Sequence, residues 1–174
     1  MDMLATLVAK EEIRELAQLY SRGVDRKDID LLRTLYTADA TDSHGPYFDG
    51  PADEYIAFLE RSLPHMHMGG HFICNHLVHV DGEEAEGEVY AIAWHLIPDG
   101  AGGLLHDMQG VRYIDRYRRE EGRWRFAQRV VTFDMKLVLP ASPHGEKPDP
   151  LQDPSYALQS LLFARGERQP AEAA

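Results

Sequence analysis

The apolar residues of this chain change period near His71, and that change limits what it can fold into. Before it, Ile13, Leu16, Ala17 and Tyr20 recur at the i, i+3, i+4, i+7 spacing of one buried helix face. After it, four long segments (71–81, 85–97, 105–119 and 123–138) alternate as strands do. Turn residues mark the joins between them: Asp81-Gly82, Pro98-Asp99-Gly100 and Glu121-Gly122. Helices followed by an antiparallel meander define an α+β fold, in which the helices cover one face of a sheet. Such a layered fold needs a core, and 44% apolar residues in 174 are enough for one domain of ordinary size.

The helical part divides into pieces. Residues 3–37 read as helical with a break at Gly23-Val24-Asp25, and Asp28 is placed to cap a second stretch carrying Ile29, Leu32 and Leu35-Tyr36. Residues 39–50, rich in Asp, Ser and Gly, predict a short strand and a turn. A third helix is expected over 51–63, with Pro51 at its opening. The domain closes at about residue 138. From 139 to 174 the chain is a proline-rich tail with one short helix over 153–163, expected either as a lid on a pocket or as a contact with a neighbouring subunit.

Charge narrows the function classes. Eighteen Lys and Arg against 29 Asp and Glu give a net charge of −11, which argues against nucleic acid and against an anionic membrane surface as partner. The single cysteine, Cys74, rules out an internal disulfide and fits a reducing compartment. No signal peptide and no membrane span is visible, so a cytoplasmic protein is expected.

Nine histidines are many for this length, and most fall between His65 and His106. His65, His67 and His71 have spacings that match no zinc motif, so no metal is expected. Acid/base chemistry suits imidazole better, because its pKa lies near neutrality. Strand parity puts His71, Ile73, Asn75 and Leu77 on one face, with His76 on the other. Val89, Ala91, Ala93 and His95 share a face on the next strand, where two alanines leave room for a ligand. Parity does not say which set faces a pocket. Asp25 reads equally as a helix-end cap, Arg129 as an ion-pair partner of Asp115 or Glu120, and Tyr20 as core or pocket rim.

Three segments together carry a resemblance: Gly23-Val24-Asp25-Arg26-Lys27-Asp28-Ile29-Asp30, His71-Phe72-Ile73-Cys74-Asn75, and Arg112-Tyr113-Ile114-Asp115-Arg116-Tyr117 with the turn Glu121-Gly122-Arg123-Trp124. Over about residues 5–137 the chain resembles the SnoaL-like branch of the NTF2-like superfamily, which includes scytalone dehydratase and hexachlorocyclohexane dehydrochlorinase. The resemblance implies a cone of three N-terminal helices packed on a strongly curved, mostly antiparallel sheet.

It also implies an Asp25–His71 acid/base pair, with His95 as a second catalytic histidine and Arg129 assisting a departing anion. Tyr20, His44, Tyr47, Asn75 and Tyr113 are the expected substrate-binding residues. Val24, Val111 and Tyr113 depart from the dehydratase pattern, which points away from scytalone as substrate. The expected function is a cofactor-independent lyase that removes water, or formaldehyde by C–C cleavage, from an aromatic or polycyclic molecule such as a lignin-derived diaryl compound. The alternatives are a polyketide cyclase, a ketosteroid-type isomerase, a non-catalytic binding module, or the small subunit of a ring-hydroxylating dioxygenase. A homotrimer or homodimer is expected, because the open sheet face is apolar and needs covering.

Overall fold

The computed structural model describes residues 2–142, 145–158 and 164–166. Helix α1 runs Met3–Asp25, capped by Asp2, whose carboxylate accepts from the Ala5 amide at 2.8 Å. It buries Ala9, Ile13, Leu16, Ala17, Tyr20 and Val24 against the sheet, the face that the spacing predicts. Lys27 then takes a left-handed conformation (φ 52°), and Asp28 caps α2 (Ile29–Arg33) by accepting from the Leu31 amide at 3.1 Å. The corner is tight: a Cβ on Gly23 would lie 2.7 Å from Leu32 Cδ2, so only glycine lets the two helices meet there.

The second helix is shorter than its apolar spacing predicts. It stops at Arg33, and Tyr36 instead opens strand β1 (Tyr36–Ser43). The reason is tertiary: the Leu35 carbonyl accepts from the Phe126 amide at 2.9 Å, which draws the chain into the sheet. Strand β2 (Asp49–Pro51) pairs antiparallel with β1 before helix α3 (Ala52–Ser62), where Pro51 serves as N-cap residue rather than first-turn residue. The cone of three N-terminal helices that the resemblance implies is matched only in part. One long helix, one single-turn helix and, after a strand pair, a third precede the main strands, and a short α4 (Pro154–Leu158) follows them.

Four long strands follow, at the predicted places: β3 (Met68–Asp81), β4 (Glu84–Pro98), β5 (Leu104–Glu120) and β6 (Arg123–Pro140). The six-stranded order is β2-β1-β6-β5-β4-β3, antiparallel except for the parallel β1–β6 pair. Three bulges interrupt the main ladders. Each places one extra residue in a strand, which bends the sheet and reverses which residues face inward. One lies between Ile73 and His76, one opposite Gly110/Val111, and one opposite Arg116/Tyr117.

Beneath the sheet's inner face lies a buried ion pair. Arg129 and Asp115 are both fully enclosed and meet through two bonds of 2.8 Å. The guanidinium also lies 4.1–4.3 Å from the ring centroids of Phe126, Tyr113 and Tyr20.

The described part of the tail packs on the corner between α1 and α2. Asp28 accepts from the Gly166 amide at 2.9 Å, Arg26 pairs with Asp153 at 2.6 Å, and Arg22 donates to Ser155 at 3.0 Å. Residues 159–163 of the expected tail helix lie outside the described residues. No helix among the described residues is long and apolar enough to cross a membrane.

Removing one member of a buried pair leaves the other charged and unpaired, which costs about 3–5 kcal/mol. Asp115→Asn is expected to lose that much in urea denaturation. Joint replacement by apolar residues of similar volume (Asp115→Leu with Arg129→Met) is expected to recover most of it.

Candidate active site

Asp25 is the last residue of α1, and β3 is an edge strand whose outer backbone groups need partners. The carboxylate meets both needs of one residue. Its Oδ1 lies 2.7 Å from His71 Nδ1, and its Oδ2 accepts from the His71 amide at 3.0 Å. A carboxylate only accepts, so Nδ1 carries the proton and Nε2 keeps its lone pair for the cavity. Both side chains are nearly enclosed, at 7% exposure for His71 and 13% for Asp25. With both carboxylate oxygens engaged, the ring is held at two points.

His95 stands beside this pair, 5.5 Å from His71 between ring centroids and edge-on to it. Its neighbour across β3 is Gly69, and across β5 it is Asp107. Burial pushes the His95 pKa down to about 4, and the neighbouring His71 pushes it further in the same direction. At neutral pH His95 is therefore an uncharged imidazole with one donor and one acceptor.

A second group of polar side chains forms the opposite wall. His44 Nδ1 bonds to the buried Asp42, which also accepts from Tyr36 at 2.9 Å. His44 Nε2 lies 3.0 Å from the Tyr55 hydroxyl, and that hydroxyl is 2.8 Å from the Tyr20 hydroxyl. The His44 ring stacks on Tyr55 with centroids 4.4 Å apart. Burial raises the Tyr20 pKa to about 12 and that of Tyr55 well above its ordinary value, so both remain hydroxyl donors. The donor chain runs from Tyr20 to Tyr55 to His44 to Asp42.

Between the two walls lies a cavity of about 240 Å³, large enough for a molecule of one or two rings. His71 and His95 line one side, with Tyr20, His44 and Tyr55 on another and Phe133 near its edge. Among the described residues, no group of three or more His, Cys, Asp or Glu side chains is placed to hold a metal ion.

The SnoaL-like domain family matches residues 5–130. The chain belongs to that family. Comparison with curated sequences gives no match. Among solved structures, the SnoaL-like domain is similar to a candidate scytalone dehydratase from Novosphingobium aromaticivorans, with 22% identity, a TM-score of 0.69, and 84% of this chain and 97% of that one covered. It is also similar to hexachlorocyclohexane dehydrochlorinase LinA-type3 from Novosphingobium barchaimii, with 20% identity, a TM-score of 0.69, and 84% and 100% covered. A third is the Kfla4162 protein of Kribbella flavida, with 24% identity, a TM-score of 0.67, and 75% and 93% covered. At these identities the likeness establishes the shared fold.

Within this SnoaL-like domain the expected site residues divide. Asp25, His71, His95, Tyr20, His44 and Tyr113 converge on the cavity or its walls, and the half-exposed Tyr47 sits at its mouth against Phe133. Two expectations are corrected. Asn75 lies on the exposed outer face, because the extra residue between Ile73 and His76 reverses the parity. For the same reason His76 turns inward, to the Tyr117 hydroxyl at 3.2 Å. Arg129 does not line the cavity. It is sealed behind Tyr20 and Tyr113, so it positions the floor and cannot meet a departing anion.

Two wall residues, Asp42 and Tyr55, are not among those that the sequence pattern points to. The signal for Asp42 was the strand spacing Asp42-x-His44, which puts both side chains on one face. Tyr55 sits on the apolar face of α3, where it passes for core.

Burial also holds His76 at a pKa of about 4. For His76 and His95 the folded-state pKa is below the unfolded value near 6.5, so the unfolded chain binds more protons between those limits. Stability is therefore expected to fall as pH drops from about 6.5 towards 4, and His95→Asn is expected to flatten that slope. Urea denaturation at a series of pH values reads both.

Proposed function

We propose that this chain is a cofactor-independent lyase that eliminates a small leaving group from an aromatic or polycyclic molecule. The observation that carries the proposal is the Asp25–His71 pair on the cavity wall, with Nδ1 occupied and Nε2 left for substrate. Holding a carboxylate and an imidazole in an enclosed site is costly unless they are used, and an acid/base pair uses both. In dehydration His71 takes a proton from carbon, the C–H electrons form the double bond, and the C–O bond on the adjacent carbon breaks. The leaving hydroxide takes a proton from the Tyr20–Tyr55–His44 chain and departs as water. The chain regains its proton from solvent as His71 releases its own.

Loss of formaldehyde needs the same groups. His71 then takes the proton of a hydroxymethyl O–H, that oxygen's electrons form the formaldehyde C=O, and the C–C bond breaks. Its electrons form the new double bond and expel hydroxide from the next carbon. His95, uncharged, orients the substrate beside the base without opposing the charge that His71 gains. General acid/base action of this kind contributes about 10²–10⁴-fold.

A second reading draws on the hydroxyl pair. Tyr20 and Tyr55 oxygens lie 2.8 Å apart, and a ligand carbonyl that replaced their present acceptors would receive both protons on one oxygen, as a cyclase or ketosteroid-type isomerase requires for its enolate. The outer sheet face exposes Phe72, Leu77, Tyr90, Ile114 and Val130, and we propose that further copies of this chain cover it as a dimer or trimer.

The deciding assay follows ultraviolet absorbance and product mass on diaryl propanediols and hydroxylated tetralones. Wild type is expected to give a conjugated product lighter by water, or by water and formaldehyde. His71→Ala is expected to lower kcat/KM at least about 100-fold, Asp25→Asn comparably, and Tyr55→Phe about 10–100-fold, mainly in kcat. A product of unchanged mass would move the assignment to the isomerase reading. No turnover by correctly assembled protein would sink both enzymatic readings.

A further inference from the structure

Asp107 stands in β5 opposite His95 in register, and it lines the cavity that the proposed lyase would use. It is 7% exposed, and its two oxygens differ. Oδ2 accepts from the Gln109 side chain at 3.0 Å and pairs with Lys136 at 3.3 Å, both donors coming from the same side. Oδ1 is equally buried and accepts from no described residue. A buried carboxylate oxygen without a donor is among the most costly polar groups to leave unmet. Neither catalytic wall supplies that donor: Asp25 and His71 satisfy each other, and the Tyr20–Tyr55–His44 chain ends on Asp42.

We infer that Asp107 is the specificity determinant of the cavity, its side chain turning to offer the unpartnered Oδ1 to a hydroxyl of the bound aromatic molecule, so the preferred ligands are phenols rather than their ethers. This rests on the reading that the cavity takes a small aromatic molecule; it does not rest on which reaction follows.

The placement gives the ligand a direction. His71 pairs with Ala93 on β4 and Ala93 with Gln109 on β5, so Asp107 lies two strands away and two residues along, with the two backbones about 12 Å apart. One aryl ring can therefore present its hydroxyl to Asp107 while its substituent reaches His71. The hydroxyl that Asp107 holds is thus not the one that leaves. A carboxylate acceptor also distinguishes sharply between the two ligand types. A phenol donates to it, whereas an aryl methyl ether brings only a lone pair and a methyl group against a negative charge.

The test uses two probes that cannot undergo the reaction, 4-phenylphenol and 4-methoxybiphenyl, titrated by calorimetry into wild type and variants. Wild type is expected to bind the phenol at least about 30-fold more tightly than the ether. In Asp107→Asn the amide oxygen is held by Gln109 and Lys136, which turns the NH2 into the cavity. The ratio is then expected to fall to one or below, because the ether oxygen now meets a donor. Asp107→Leu is expected to bring the ratio under about 3-fold, and His71→Ala to leave it unchanged.

A purely structural Asp107 would lower both affinities together and keep their ratio, which would overturn the inference. Equal binding of the two probes by wild type, or binding of neither at millimolar concentration, would overturn it as well. A preserved 30-fold ratio in a protein with no lyase activity would refute the reaction and leave this specificity standing.

Discussion

Arg129 cannot exist in this fold without Asp115. A guanidinium with no exposed surface needs a counter-charge at hydrogen-bond distance, and β5 supplies it directly across the ladder from β6. The rest of the site is built on that pair. Tyr20 from α1, Tyr113 from β5 and Phe126 from β6 pack around the cation, so one charge fixes the long helix against two strands. Tyr117 extends the network from Asp115 to His76 on β3. Only with α1 held in this way does its last residue, Asp25, reach the edge strand and clamp His71. Arg129 thus shapes the cavity from beneath its floor, with no exposed surface of its own.

The cavity has two polar walls because two different parts of the chain close it. One wall is sheet: His71 and His95 stand on adjacent strands, with Ala91 and Ala93 keeping the space between them low. The other wall is made where β1 ends and α3 passes over it, bringing Asp42-x-His44 against Tyr55 and, from α1, Tyr20. On the proposed reading the first wall offers a base with its tautomer set, and the second a chain of hydroxyls that can hand a proton to a leaving group. A base and a donor set on opposite sides of a bound molecule are what an elimination needs, since the proton and the leaving group depart from different atoms.

The element order was legible because periodicity is a local property. The four strands lie where alternation and turn residues put them, and Asp28 caps the helix it was expected to cap. The Asp25–His71 pair was not legible from periodicity. It spans 46 positions between a helix end and a strand, so it depended on family resemblance. Asn75 and Arg129 were misplaced for different reasons. The role expected of Arg129 came from the resemblance, and its inward side chain is sealed behind Tyr20 and Tyr113. Asn75 was placed by strand alternation. Alternation assumes an unbroken pleat, and a single extra residue reverses every side chain beyond it. No residue at the β3 bulge announces it, since Cys74-Asn75 carries no glycine. The end of α2 failed differently, because Leu35 and Tyr36 keep a helical spacing that pairing with β6 overrides.

The charge distribution in the cavity argues for a single proton-accepting group. A charged His95 would bring a cation beside the His71 ring, 5.5 Å away between centroids. Burial keeps His95 neutral, and Asp25 spends both carboxylate oxygens on His71. Two histidines of identical chemistry, 5.5 Å apart, are thereby assigned different work by their surroundings: one has a carboxylate at hydrogen-bond distance, and the other only a more distant one across the strand. The same logic separates the acids. Asp25 and Asp42 are spent on histidines and Asp115 on Arg129, while Asp107 has one oxygen with no donor among the described residues. In an enclosed site that difference in pairing, more than the identity of the side chains, decides which group can act on a ligand.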